Sequence, residues 1–487
     1  VSAALSSAQE YCEKNKKTVA IAAGATTAAL VAAYAWRRAV NYVPKSGKYP
    51  KGTLPAGAYD AVIVGAGPSG SVCGHFAAKA GVKVALLDKE KFPRDKYCGD
   101  AVCTPAIKIL EEMGVLKELV DAGEAHFADA GGFVSPDGTS YIGASVEKLG
   151  GAACCAVKRI ILDNRTARCA QRSGADFKEG FEVVGATFNK EAGLWTVTAA
   201  DGSKVTGRML VIADGATSKL ATKLGYCTAP PKGVSSRAFV EGGTHKTNFD
   251  GVCFYPKWSL PGYAAIFRHP NDELNFCYYL IPSGKEGMCG DVSEADLARL
   301  HNDAITKDPF ISAALGPNPK MERMRVAPLR LGSQGITTTY DDHMIILGDA
   351  AGHIDPLTGE GIHTAMMSGK AGAETLIDMV ATGDFTKQST KEYARRWWAR
   401  YGHDFKMSQL MADTVYKYPI LLDACASEMQ RQGDTMMAKW AEIMTCMQPK
   451  TYFLQPHVAV PLGISVVREI FAQYIFKSKP NRYQLKA

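Results

Sequence analysis

Three glycine-rich stretches of this chain each carry an acid where nucleotide chemistry would use one. The first is Gly65-Ala66-Gly67-Pro68-Ser69-Gly70, followed about 20 residues on by Asp88. In that spacing Gly65 allows a tight turn, Gly67 lets the backbone approach a pyrophosphate, and Gly70 lets a helix pack close to a strand. Free N–H groups at the helix start hold phosphates, and the acid binds ribose hydroxyls. The second stretch is Asp214-Gly215. The third runs Gly348-Asp349-Ala350-Ala351-Gly352-His353-Ile354-Asp355-Pro356-Leu357-Thr358-Gly359-Glu360-Gly361-Ile362. A glycine-rich turn before a helix, with a buried acid, suits a phosphate and its sugar alcohol chain.

Each stretch needs a buried strand in front of it, and each has one. Tyr59 to Val64 is a β-branched apolar run ending at Gly65. Residues 69–80 are small and apolar enough for a helix packed on a sheet, and Val82 to Asp88 reads as a second strand. Met209-Leu210-Val211-Ile212 runs into Asp214, and His343 to Leu347 runs into Gly348, with a small-residue helix on to about Val380. Between these, residues 89–100 read as a loop and Thr104 starts a helix through Ile107, Leu110, Met113 and Leu116. Residues 132–149 read as a hairpin turning at Ser135-Pro136-Asp137-Gly138. A helix is predicted from Lys158 to Ala170, strands around a second hairpin over 181–212, antiparallel strands over 235–282 and helix over 292–316.

The 487 residues exceed one simple core, so two or more domains are expected. A formal charge of +7 is spread along the chain, and no nucleic-acid-binding motif accompanies it. The 13 cysteines have no zinc-like spacing, which predicts free thiols in a reducing compartment and no metal site. Valine as first residue is expected of a chain processed after removal of a targeting peptide, or starting at an internal residue. Within residues 1–40, the uncharged run 18–36 lies between Lys16-Lys17 and Arg37-Arg38 and is long enough for a single transmembrane helix. Its Ala, Gly and Thr content also suits packing on other helices. Residues 41–58 form a Pro- and Gly-rich linker.

The order of the three motifs identifies the chain as similar to the FAD-dependent reductase and hydroxylase superfamily with a glutathione-reductase-like FAD domain. Within that superfamily it resembles the geranylgeranyl reductases. Phe92 to Gly99 resembles the loop that ends in Cys-Gly, Gly348 to Ile362 fits GDAAGxxxPxxGEGI, and Pro261 to Arg268 aligns with PxxYxWxFP. The likeness spans roughly Tyr59 to Ala424. It implies an α/β fold: a Rossmann-like FAD domain over 59–390, interleaved with a β-sheet substrate domain at about 120–160 and 220–330, then a helical region over 391–487.

By the same resemblance, Gly65, Gly67, Pro68, Ser69, Gly70, Asp88 and Lys89 take the ADP half of FAD. Asp214 and Gly215 lie near the pyrophosphate, Gly348 and Asp349 near the phosphate or ribitol, and Gly359, Glu360, Gly361 and Ile362 at the isoalloxazine. Cys98 and Tyr263 are the implied catalytic positions; Tyr263, Ala265, Phe267 and Arg268 form the substrate stretch. Ala265 stands where the family has Trp, and Arg268 where it has Pro. Loss of a Trp removes on the order of 150–250 Å² of contact surface. The implied reaction is reduction of C=C bonds in a geranylgeranyl or isoprenoid chain, with NADPH or a protein as electron donor. Two alternatives stand beside it: flavin hydroxylation or epoxidation, and a FAD-containing accessory subunit of a membrane complex. The apolar stretch 452–476 suits a helix lying on a membrane or packing in a core. An organelle membrane, chloroplast thylakoid or envelope, is the expected location.

Overall fold

In the computed structural model the described residues are 54–144, 149, 151–241, 249–280 and 294–476. The segment 18–36 and the linker up to residue 53 lie outside them.

The sheet expected of a Rossmann-like domain is present, parallel from Met344–Ile346 to Asp176–Glu179 with Tyr340–Asp341 antiparallel at its edge. Its strands lie in the order Tyr340–Asp341, Met344–Ile346, Lys204–Ile212, Tyr59–Val64, Val84–Asp88, Asp176–Glu179. Tyr59–Val64 is the centre: Ile63 lies opposite Val211 on one side and Leu86 on the other, all in parallel pairing. These side chains are fully buried, as expected of strands covered on both faces. All three glycine stretches leave the carboxyl ends of adjacent strands and so converge on one edge.

One face of this sheet is covered by the helix Pro68–Lys79, which packs against Arg159–Arg172 and Ile362–Thr382. Glycine makes the last contact possible, since a Cβ on Gly369 would fall 2.3 Å from the Ser69 carbonyl oxygen. The other face is covered by the antiparallel extension Val183–Asn189 and Leu194–Ala199 and by Lys219–Lys223.

A second, mainly antiparallel sheet has the order Lys320–Met321, Gly233–Glu241, Leu274–Leu280, Gly262–Arg268, Gly251–Phe254, Ala130–Val134, Ser140–Ala144, with Arg325–Leu329 beside Gly233–Glu241. Its period-2 alternation builds two cores. Phe276 and Tyr278 pack with Phe254, Ile266 and the helices Glu294–Lys307 and Pro309–Leu315. Cys277 and Tyr279 point the other way, to Tyr255, Tyr263 and the C-terminal helices His403–Lys417, Ile420–Gln432 and Asp434–Met444. A third sheet of Ala101–Cys103, Cys154–Ala156 and His126–Phe127 lies between.

Some predicted elements shift. The helix beginning at Thr104 stops at Glu112 and restarts at Val115, because Gly114 sits at φ 77°. Within the described part of the helix predicted over 292–316 there are two helices, Glu294–Lys307 and Pro309–Leu315, divided where Asp308 caps the second by accepting from the Phe310 and Ile311 N–H groups. Residues 132–149 form the predicted hairpin through Ala144. At the C-terminus, Pro456–Ile470 is a helix continued by Phe471–Ile475.

A candidate dinucleotide and substrate site

A cavity of about 550 Å³ opens at the carboxyl edge of the parallel sheet and runs to the aromatic face of the second sheet. At its first end Gly65 turns at φ +106°, and a Cβ there would lie 2.2 Å from the Ala213 carbonyl oxygen. A Cβ on Gly70 would lie 1.8 Å from the Gly65 carbonyl oxygen, so the helix sits directly against the turn. Gly67 differs: its missing Cβ faces open space, with Arg94 Nη2 the nearest atom at 3.8 Å. That is the cradle a pyrophosphate needs above the N-terminus of Pro68–Lys79. Asp88, at the end of its strand, accepts hydrogen bonds from the Ala66 N–H at 2.8 Å and the Glu90 N–H at 3.0 Å. The donor set, two glycine loops and one acid at a sheet edge, fits a dinucleotide.

Of the residues singled out in the sequence, Gly65, Gly67, Pro68, Ser69, Asp88, Lys89, Cys98, Asp214, Gly215, Tyr263, Phe267, Asp349, Gly359, Glu360, Gly361 and Ile362 line this one cavity. Gly70 and Gly348 stand behind the wall. A Cβ on Gly348 would meet Ser69 Oγ at 2.7 Å, so the two glycine loops touch there. The Asp214 carboxylate caps its own loop, accepting from Ser218 Oγ at 2.7 Å and the Leu220 N–H at 3.0 Å.

Two positions of the substrate stretch fall elsewhere. Ala265 shares a strand face with Tyr263 but is fully covered, in a cluster with Tyr416, Met436 and Met437 of the C-terminal helices. Arg268 is turned to acids, with Asp250 at 3.9 Å and Asp272 at 3.7 Å. Tyr263 donates its hydroxyl proton to the Thr358 carbonyl, and its ring stacks on Tyr279 at 5.0 Å. It therefore braces the loop carrying Gly359 to Ile362 against the second sheet.

Sequence reading named Lys89 but missed other cations of the cavity. Arg94, Lys96 and Arg159 all line it. Asp163 is held between Arg159 Nε at 2.7 Å and Arg94 Nη1 at 2.5 Å. Burial opposes the charge on Asp163, but the two guanidinium groups outweigh it and hold the carboxyl below its usual range. Lys96 pairs with Asp349 at 3.0 Å. The signal for Arg159 was its spacing of four from Asp163 on one helix.

Asp355 was also missed. Its Oδ1 accepts from the Leu357 and Thr358 N–H groups at 2.8 and 3.0 Å. Its Oδ2 accepts from Tyr401, Ser408 and the buried Lys450 at 2.6, 2.8 and 3.0 Å. One carboxylate thus ties the third glycine stretch to the C-terminal helices.

Glu360 turns its carboxyl toward Cys103, whose thiol donates to Oε2 at 3.2 Å. His363 Nδ1 lies 3.7 Å from the same oxygen, and His363 Nε2 lies 3.3 Å from Cys446 Sγ. The donor atoms of Cys103, Glu360 and His363 lie within 4.8 Å of one another. Burial keeps the Cys103 sulfur a thiol and raises the Glu360 carboxyl to about 7, so the cluster is built of groups that hold protons.

Residues 58–250 match the family model described as an FAD binding domain, and residues 307–414 the one described as tryptophan halogenase. Conditioned medium factor receptor 1 of Dictyostelium discoideum is 49% identical over 440 residues, covering 88% of this chain and 84% of that protein. Menaquinone reductase of Mycobacterium tuberculosis is 28% identical, covering 72% and 83%. Digeranylgeranylglycerophospholipid reductase 1 of Methanopyrus kandleri is 26% identical, covering 73% and 90%. The crystal structure of a geranylgeranyl bacteriochlorophyll reductase-like protein from Thermoplasma acidophilum superposes with a TM-score of 0.62 at 18% identity, covering 86% of this chain and 96% of that one.

Proposed function

We propose that this chain, which belongs to the FAD-dependent geranylgeranyl reductase-like family and is an FAD-dependent oxidoreductase, reduces C=C bonds in the isoprenoid chain of a membrane-borne lipid or quinone. The observation that supports it most is the continuity of the cavity. One end is a glycine cradle lined by cations, Arg94, Lys96 and Arg159 among them, and the other is walled by Tyr263, Tyr279 and Phe267. Bound in its reduced form, FAD supplies a hydride. Gly65, Gly67, Asp88 and the loop Gly359 to Ile362 would hold it. Arg94, Lys96 and Arg159 offset its phosphates, and the aromatic rings hold an apolar chain and exclude water.

The test is anaerobic. Flavin in the purified protein is reduced with NADPH or ferredoxin, then mixed with menaquinone or digeranylgeranylglycerophospholipid in detergent. Reoxidation should be matched by a product two mass units heavier. Reduced flavin that neither substrate reoxidises would refute the reading. A gain of one oxygen under air would favour the second reading, hydroxylation or epoxidation, which draws on the match to the halogenase model. The third reading, a binding or accessory role without turnover, draws on the receptor named among the relatives; it requires a flavin that neither donor reduces.

The membrane part of the proposal rests on Pro456–Ile475, which has a mean hydropathy of 1.4 with only 11% of its apolar window buried. Val460, Ile464, Val467, Phe471 and Tyr474 form one exposed stripe at helical spacing. Pro461 lies inside the helix, and Arg468 and Glu469 interrupt the apolar run, which suits a helix lying in the interface. Full-length protein is expected to float with liposomes. Exchange of Val460, Ile464, Val467 and Phe471 for Ser should lower the floated fraction severalfold while flavin absorbance is retained. Unchanged flotation would remove this helix from the membrane contact.

A further inference from the structure

We propose that Glu360 is the general acid of the site: its carboxyl O–H protonates one carbon of the substrate double bond, and its proton is replaced by way of His363 and Cys446. The proposal rests on the C=C reduction reading. In that reaction the π bond breaks and two C–H bonds form. The hydride and its electron pair come from reduced FAD. The proton comes from a protein acid, which keeps the O–H electrons as a carboxylate and is then recharged from solvent.

Geometry selects Glu360 among the acids of the cavity. It sits in the loop between Gly359 and Gly361, lines the cavity, and its side chain is 24% exposed. Asp100 also lines the cavity but is wholly covered beneath the Cys98 loop, where Asn275 Nδ2 holds it at 2.9 Å. Asp349 is paired with Lys96 and Asp214 is consumed as a cap. Glu360 alone adjoins a row of proton-bearing side chains leading away from the cavity. The His363 ring lies 3.7 Å from its Oε2 and reaches Cys446 at 3.3 Å, and Cys446 lies 3.7 Å from the Tyr401 hydroxyl. Cys446 itself is partly exposed.

Among the groups packed around it, Glu360 is the one that titrates near neutrality; across the cavity burial also raises Asp100 to about 7, but that carboxyl is covered and held by Asn275. The thiols of Cys103, Cys154, Cys253 and Cys446 are pushed up by burial, the last two to about 12. The phenols of Tyr255, Tyr263 and Tyr279 are pushed well up for the same reason. Burial lowers His363 to about 4, so it is a neutral ring able to accept at one nitrogen and donate at the other. Beyond them, Asp355 and Lys450 are charged but offset each other. Burial raises Glu360 to about 7, opposed by its hydrogen bond from Cys103, so it can lose and regain a proton at physiological pH.

The experiment uses FAD-loaded wild-type and Glu360→Gln proteins, with menaquinone and digeranylgeranylglycerophospholipid as probes. Wild-type reoxidation should slow as pH rises through about 7, because the acid must carry its proton. Glu360→Gln should keep its flavin and reoxidise on the order of 100-fold slower, with that pH dependence gone. Independently of turnover, infrared titration of the resting protein should show carboxylic acid carbonyl absorption that bleaches near neutrality, and Glu360→Gln should lose the Glu360 part of it while that of the buried Asp100 remains. Wild-type reoxidation with an equal rate in the variant would overturn the acid while leaving the reduction reading intact. Infrared absorption that is unchanged in Glu360→Gln would do the same. So would a stoichiometric zinc ion lost in Glu360→Gln, since a ligated carboxylate has no proton to give. If wild-type protein is not reoxidised by either probe, the reduction reading falls and the acid falls with it.

Discussion

Protein carrying Gly67→Val is expected to fold normally and to purify without flavin. The backbone at Gly67 has φ −72° and ψ −172°, which any residue adopts. A Cβ there meets no protein atom nearer than the flexible end of Arg94 at 3.8 Å, so the backbone has no reason to change. The space it enters is the cradle above the helix N-terminus, where the pyrophosphate needs bare N–H groups. Affinity for FAD should fall at least about 100-fold, or about 2.8 kcal/mol at 1.4 kcal/mol per decade. Titration of apoprotein with FAD, followed by flavin fluorescence, gives the number, and near-UV circular dichroism checks the fold. Gly65→Val is the contrast. Its Cβ would collide with the Ala213 carbonyl, and the strand end itself should be lost. Wild-type affinity in Gly67→Val would show that the phosphates lie elsewhere.

Lys450→Met should be the most destabilising conservative change. Lys450 is fully buried between Asp355 and Asp404, 3.0 Å from each. Removing the cation leaves two buried carboxylates facing each other, at a cost of about 3–5 kcal/mol. The pH dependence follows from the directions of the shifts. Burial opposes the charge on Asp355, but Lys450 and the Tyr401 and Ser408 hydroxyls hold its carboxyl far below the usual range. A depressed acid contributes stability above its unfolded value, about 3.9, and loses it as pH falls. Lys450 is raised, so its contribution lasts until pH climbs past its ordinary value, about 10.4. Wild-type protein should therefore lose stability steeply below about pH 4, whereas Lys450→Met should start lower and fall less. Urea midpoints from acid to neutral pH measure both. Flavin affinity should drop with it, because Asp355 holds the Leu357 and Thr358 N–H groups in place. Equal midpoints would mean that the pair adds nothing.

What could be read in the chain were features written over a few neighbouring residues. The strand Tyr59–Val64, its glycines and Asp88 are consecutive, so their types and spacing specify turn, helix and acid together. The GDAAG and GEGI glycines were legible for the same reason. What could not be read were meetings across the fold. Tyr279 stacks on Tyr263 because two strands pair in a register that also sets Ala265 opposite Cys277. Nothing local to either strand states that register. The covering of Ala265 depends on helices that begin more than a hundred residues later. Asp355 occupies an unspecified position of its motif, and its partner Lys450 lies beyond the recognised resemblance. The break at Gly114 shows the reverse case: periodicity continued across it, and one left-handed backbone angle ended the helix.

The central position of Tyr59–Val64 also has a consequence for synthesis. This strand emerges early, yet its neighbour Lys204–Ile212 and the strand beyond, Met344–Ile346, are translated far later. At about 5–20 residues per second, the roughly 140 residues between Val64 and Lys204 take about 7–28 s. Throughout that interval a largely apolar strand waits on the ribosome with one edge unpaired, a hazard for aggregation that a nascent-chain chaperone would relieve. The loop that closes over the flavin waits longer still, since Lys450 must be made before Asp355 is neutralised. FAD capture is thus a late event in the life of the nascent polypeptide, and a chain stalled before residue 450 should leave the ribosome without its cofactor.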